Sequence, residues 1–99
     1  MKQFLCVLTP CRPTLPVDAT ERERAIVGEH FAYWQEMLGA GRLVLLGRTQ
    51  DLPPMGLIVL EADDAAAAQR MVDGDPAVAR GVMSAVVRPY AVALMRGHG

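Results

Sequence analysis

The sequence predicts an α+β domain with the element order β-α-β-β-α-β. Three observations carry that reading: short apolar runs bounded by Pro or Gly, two helical stretches with recognisable caps, and two connections too long for a hairpin.

Taken in order, Gln3–Leu8 is short and apolar and stops at Thr9-Pro10, as a strand does. Residues 9–19 hold Pro10, Pro13 and Pro16, which forbid a helix and predict an extended loop, a candidate lid. Thr20-Glu21-Arg22-Glu23 is a capping box, with Thr20 covering the Glu23 amide and Glu23 reaching back. Val27, Phe31, Trp34 and Leu38 follow at i, i+4, i+7 and i+11 and predict the buried stripe, and Gly41 stops the helix. Leu43–Gly47 and Gly56–Ala62 are the second and third strands, a hairpin whose loop Arg48–Met55 is stiffened by Pro53-Pro54. Asp63 or Asp64 caps an alanine-rich second helix to about Val72. Gly74-Asp75-Pro76 ends it, Ala77–Gly81 is a short turn, and Val86–Met95 is the last strand, with Pro89 marking an edge or a bulge. His98 falls in the tail and is given no function.

Right-handed crossovers turn this order into a ferredoxin-like, four-stranded antiparallel sheet with two helices on one face. The strands add a second expectation. Phe4–Leu8, Leu43–Leu46 and Leu57–Leu60 are apolar on both faces, whereas a sheet with one wet face alternates. Each large apolar side chain left wet forgoes about 1.5–3 kcal/mol. A homodimer packing sheet against sheet removes that cost.

The 99 residues fit a single domain, 1–99, and their 52% hydrophobic content places them with compact proteins. Ten Lys plus Arg against eleven Asp plus Glu leave a net charge of −1, with the basic residues scattered, which argues against a nucleic-acid partner. No apolar run approaches the roughly 18 residues of a membrane span, so no membrane partner is expected. MKQFLCVLTP is broken too early to be a secretory signal, so a cytoplasmic location is expected. Cys6 and Cys11 have no second Cys or His pair to complete a zinc site, and no phosphate-cradling glycine loop or nucleophilic arrangement suggests a cofactor or other chemistry.

His30 is the one histidine inside an element. At about 100° per residue it lies roughly 70° from the centre of the predicted stripe, at the margin of the buried face. A helix of twenty residues is roughly 30 Å long and a strand of five or six roughly 18 Å, so the N-terminal part of the helix overhangs the sheet and sets His30 at its upper rim. Topology brings Asp51, in the hairpin loop, and Asp75, after the second helix, to the same rim. A His beside a carboxylate can act as general base or acid, and Arg48 can receive an anionic or enolate oxygen. Trp34 and Tyr90 are candidate pocket walls. Blander readings stand beside these: a hydrogen-bonded structural His30, Asp75 as a turn or cap residue, a solvated Asp51, and Trp34 as core.

The chain resembles the YCII-related (YciI-like) proteins. The likeness rests on His30, Gly41-Arg42-Leu43, Gly47, Asp51, Gly56, Asp75-Pro76-x-Val-Ala-x-Gly81 and Val87-Arg88-Pro89-Tyr90. The resemblance implies a dimeric α/β barrel of ferredoxin-like subunits with a His–Asp pair in a cleft. It also implies a kinship with enzymes that eliminate chloride from aromatic ring compounds. The histidine carries over to His30 and its acidic partner to Asp75, with Asp51 as second candidate. Gly47-Arg48 stands where the family usually has Gly-Pro, and Ala77 where an aromatic commonly follows Asp-Pro, which predicts a wider, more cationic pocket. The expected function is a cofactor-independent isomerase or lyase: His30 moves a proton on a small cyclic or aromatic anion, Asp75 or Asp51 orients it, and Arg48 stabilises negative charge. The alternative is a non-catalytic dimeric module that binds a small ligand or regulates.

Overall fold

A computed structural model describes residues 1–97; His98 lies outside them. The elements are β1 (Lys2–Pro10), α1 (Glu21–Gly39), β2 (Leu43–Arg48), β3 (Gly56–Ala62), α2 (Ala65–Asp73), a single-turn α3 (Pro76–Ala79) and β4 (Met83–Tyr90). The sheet is antiparallel throughout in the order β2-β3-β1-β4. Apart from α3 this is the predicted order of elements, and Pro89 does sit on an edge strand, where proline is tolerated.

The caps explain the boundaries. Thr20 accepts from the Glu23 amide at 3.1 Å while Glu23 accepts from the Thr20 amide at 2.8 Å, closing the capping box. Gly41 follows the helix at φ 75°, a conformation that costs glycine nothing. Asp64 caps α2 through the Ala67 amide at 2.8 Å.

One face of the sheet carries Phe4, Cys6 and Leu8, which stand opposite Leu60, Ile58 and Gly56 of β3 and Pro89, Val87 and Ala85 of β4. Trp34 of α1 and Ala68 and Val72 of α2 close the core over that face. The other face presents Leu5, Val7, Leu57 and Val86, with no element of the described chain over it; Leu45 is 48% and Val86 55% exposed.

Three expectations need correction. The buried stripe of α1 is Glu23, Ile26, His30 and Trp34, while Phe31 and Leu38 are 52% and 58% exposed. The buried face is thus turned by roughly 60° from the one the apolar spacing predicts, putting His30 at its centre. A charged residue can occupy that stripe because Arg12 and the Thr20 amide satisfy the Glu23 carboxylate. Second, β4 is Met83–Tyr90 and not 86–95: Tyr90 already stands opposite Gln3, near the start of β1, and the apolar residues after it have no strand to pair with. Third, the turn after Pro76 is a helical turn, with Asp75 as its N-cap.

Candidate functional site

Asp75 is the anchor of the site and is fully buried. Its place is fixed by local sequence: it follows Gly74, the C-cap of α2, and caps α3, its Oδ1 accepting from the Ala77 amide at 2.9 Å, with Pro76 at the first helical position. The other oxygen, Oδ2, faces α1. It lies 2.6 Å from His30 Nδ1 and accepts from Trp34 Nε1 at 2.9 Å. His30 and Trp34 reach one oxygen because residues four apart share a helix face. A buried carboxylate is costly unless its lone pairs are filled, and here the N–H groups of Trp34 and Ala77 and the Nδ1 of His30 surround it.

With Nδ1 committed to Asp75, the second imidazole nitrogen is the one available for chemistry. Among the described residues no protein group bonds Nε2 and no buried side-chain nitrogen or oxygen lacks a partner, so Nε2 opens onto the adjoining cavity. That cavity has a volume of about 340 Å³, and His30 and Arg48 are the ionisable side chains among its walls. The remaining walls are apolar or backbone: Leu8, Pro10, Leu46, Gly47, Gly56 and Met83 of the sheet, Val27 and Phe31 of α1, Leu15 and Pro16 of the first loop, and Pro54 of the hairpin loop. Arg48 has no ion-pair partner among the described residues, so its charge is available to a ligand.

The first loop is pinned as a wall. Leu15 is buried against Ile26, Ala77 and Val82. Arg12 spans the loop, giving both terminal nitrogens to Glu23 at 2.7 Å each and its Nε to Asp18 at 3.1 Å. These bonds hold the Glu23 carboxyl down to about 2 and lower that of Asp18 as well. Burial, then the nearby Asp75 charge, pushes the Cys6 thiol up to about 11 and raises the Tyr33 phenol.

Of the candidates read from sequence, His30, Asp75 and Arg48 gather at one end of the sheet. Asp51 is exposed in the hairpin loop and is not among the cavity walls. Tyr90 stands opposite Gln3 on the far face and at the far end of the sheet, away from the cavity. Trp34 lies behind the pair, in the core, instead of in front of it. Sequence reasoning missed its bond to Asp75, although its position one turn after His30 was the signal. The walls Leu15, Pro54 and Met83 left none. Among the described residues no three His, Cys, Asp or Glu side chains converge as metal ligands.

The model of the YCII-related domain matches residues 3–90. Curated proteins gave no match. Among solved structures, this chain is similar to the 5-chloro-2-hydroxyhydroquinone dehydrochlorinase TftG from Burkholderia phenoliruptrix AC1100, in complex with 2,5-dihydroxybenzoquinone. The TM-score is 0.64 at 17% sequence identity, covering 89% of this chain and 93% of that one, a likeness of fold.

Proposed function

Because the chain belongs to the YCII-related family, we propose that it is a cofactor-independent enzyme of the isomerase or lyase type, moving a proton on a small cyclic or aromatic anion. The observation that carries this is the arrangement of His30: Nδ1 tied to a buried carboxylate 2.6 Å away, Nε2 facing an apolar cavity. Asp75 fixes the tautomer in which Nε2 has a free lone pair and balances the imidazolium that forms when it takes a proton. The apolar walls suit the faces of a ring. Arg48 meets the oxygen on which negative charge builds as the proton leaves. From that enolate or phenolate the proton returns at another carbon, which is isomerisation, or a leaving group such as halide departs with its bonding electrons, which is elimination. The name and ligand of TftG, a hydroquinone dehydrochlorinase holding a benzoquinone, support a ring compound of that size and kind.

The same reading includes a homodimer formed through the open sheet face, supported by Leu5, Val7, Leu45, Leu57 and Val86 lying together on it. The functional test is a turnover screen on cyclic and aromatic anions, beginning with chlorinated hydroquinones, for wild type and His30→Ala. Turnover in wild type that falls by about 10²-fold or more in His30→Ala, with folding intact, is expected for a lost general base. Binding without turnover, undiminished in His30→Ala, contradicts it and favours a ligand-binding module.

A further inference from the structure

Asp75 Oδ2 is shared, and the sharing has a chemical consequence. The Trp34 N–H ends on this oxygen at 2.9 Å and His30 Nδ1 lies 2.6 Å from it, while Oδ1 is taken by the Ala77 amide. An indole nitrogen donates and never accepts, so Trp34 can only draw electron density from Oδ2. Its ring cannot drift away: it is 1% exposed and packs edge-on against Tyr33, centroids 5.3 Å apart, and Tyr33 in turn donates to the Met71 carbonyl of α2 at 2.5 Å.

We infer that Trp34 is a positioning residue of the His30–Asp75 pair, whose indole N–H, by competing for Asp75 Oδ2, keeps the shared proton on His30 Nδ1. This rests on the reading of His30 as the proton-moving group. It deepens that reading by naming what sets the strength of the pair. The His–Asp distance of 2.6 Å is slightly shorter than the roughly 2.7–2.9 Å of a charge-assisted N–H···O bond. Without a second donor on Oδ2, the full electron density of that oxygen would face the imidazole alone, and the proton would move toward oxygen. Trp34 thus acts through Asp75 on His30 without touching the cavity. A chain of contacts from the α2 backbone through Tyr33, Trp34 and Asp75 ends at Nε2.

The test is the proton resonance of His30 Nδ1–H in the free protein, compared between wild type and Trp34→Phe, which keeps an aromatic ring and removes the donor. A second variant guards against misfolding. The sequence holds a single tryptophan, so growth on benzothienylalanine, which replaces the indole N–H by sulfur in a ring of the same outline, alters position 34 alone. The expected result is a downfield move of the Nδ1–H resonance in both variants, as the proton becomes more evenly shared, with the backbone amide spectrum otherwise preserved. An unmoved or upfield-shifted resonance in the folded variants overturns the inference and leaves Trp34 as core filling. Failure of the underlying reading shows elsewhere: it appears as a wild type with Nδ1 bare, or as turnover that survives His30→Ala, whatever the response to Trp34.

Discussion

His30 Nδ1 and Asp75 Oδ2 stand 2.6 Å apart although 45 residues separate them in the chain. Neither end of that contact is held by a flexible loop. His30 sits mid-helix on the buried face of α1, and Asp75 is fixed by its own cap on α3. The site is therefore a property of how α1, α2 and α3 meet over the end of the sheet, and its geometry should resist changes to the surface.

The first prediction concerns stability. Asp75→Ala removes the partner of three nitrogens at once, His30 Nδ1, Trp34 Nε1 and the Ala77 amide. An orphaned buried donor costs about 1–3 kcal/mol, so a total loss of at least about 3 kcal/mol is expected, read from denaturant unfolding. A loss below about 1 kcal/mol contradicts the account of the buried carboxylate.

The second concerns a close approach behind the site. A Cβ on Gly74 would lie 2.8 Å from the Tyr33 hydroxyl, which is held on the Met71 carbonyl and cannot swing aside freely. Gly74→Ala should destabilise by about 1–3 kcal/mol through overpacking. Tyr33→Phe deletes the obstructing oxygen, so the double variant should be more stable than the sum of the single effects. Additive losses in the double-mutant cycle would count against the contact.

Much of this was legible in the sequence, and the parts that were not have physical reasons. The caps at Thr20 and Asp64 and the glycine at 41 are local chemistry, so element order and starts followed from them. Comparing helix length with strand length set His30 at the rim, because rise per residue does not depend on packing, and the order of elements brought Asp75 to the same end. The rotation of α1 was hidden: a hydrophobic count favours Phe31 and Leu38, whereas the buried face is chosen by Glu23 and His30, polar groups whose burial depends on Arg12 and Asp75, far away in the chain. The two aspartates could not be separated because Asp51 lies in a loop with no periodicity to orient it. The end of β4 was misjudged because residues 91–95 keep an apolar pattern past the point where β1 stops offering a partner.

The third prediction is a pH dependence with two limbs. In acid, Glu23 has a folded-state value lowered from 4.5 to about 2, so its stabilisation is complete above 4.5 and is lost as pH falls toward about 2. Glu23→Gln should flatten the acid limb of a stability profile across that window. In alkali, the Cys6 thiol is raised from 9.0 to about 11, so stability is present below 9.0 and falls as pH rises through about 11. Cys6→Ala should flatten that limb. A thiol reagent at neutral pH should label the exposed Cys11 and leave Cys6 untouched until unfolding. Identical limbs in the variants contradict the assignments.

The fourth addresses assembly. Leu45→Lys places a charge on the open sheet face at a site 48% exposed in the single chain, with little to lose in the core. Sedimentation equilibrium should show a dimer for wild type and a monomer of unchanged secondary structure for the variant. A wild type that is monomeric at all concentrations, or a variant that remains dimeric, contradicts pairing through this face.

The most direct test of the central claim is the tautomer of His30 in the free protein at neutral pH. Nitrogen-15 NMR of the imidazole, in a His98→Gln background so that one histidine remains, distinguishes a protonated ring nitrogen from a bare one. The expected result is a proton on Nδ1, protected from exchange, and a bare Nε2 whose resonance moves when a cyclic anion fills the cavity. A proton on Nε2 with Nδ1 bare, or the averaged signals of a freely exchanging imidazole, would contradict it.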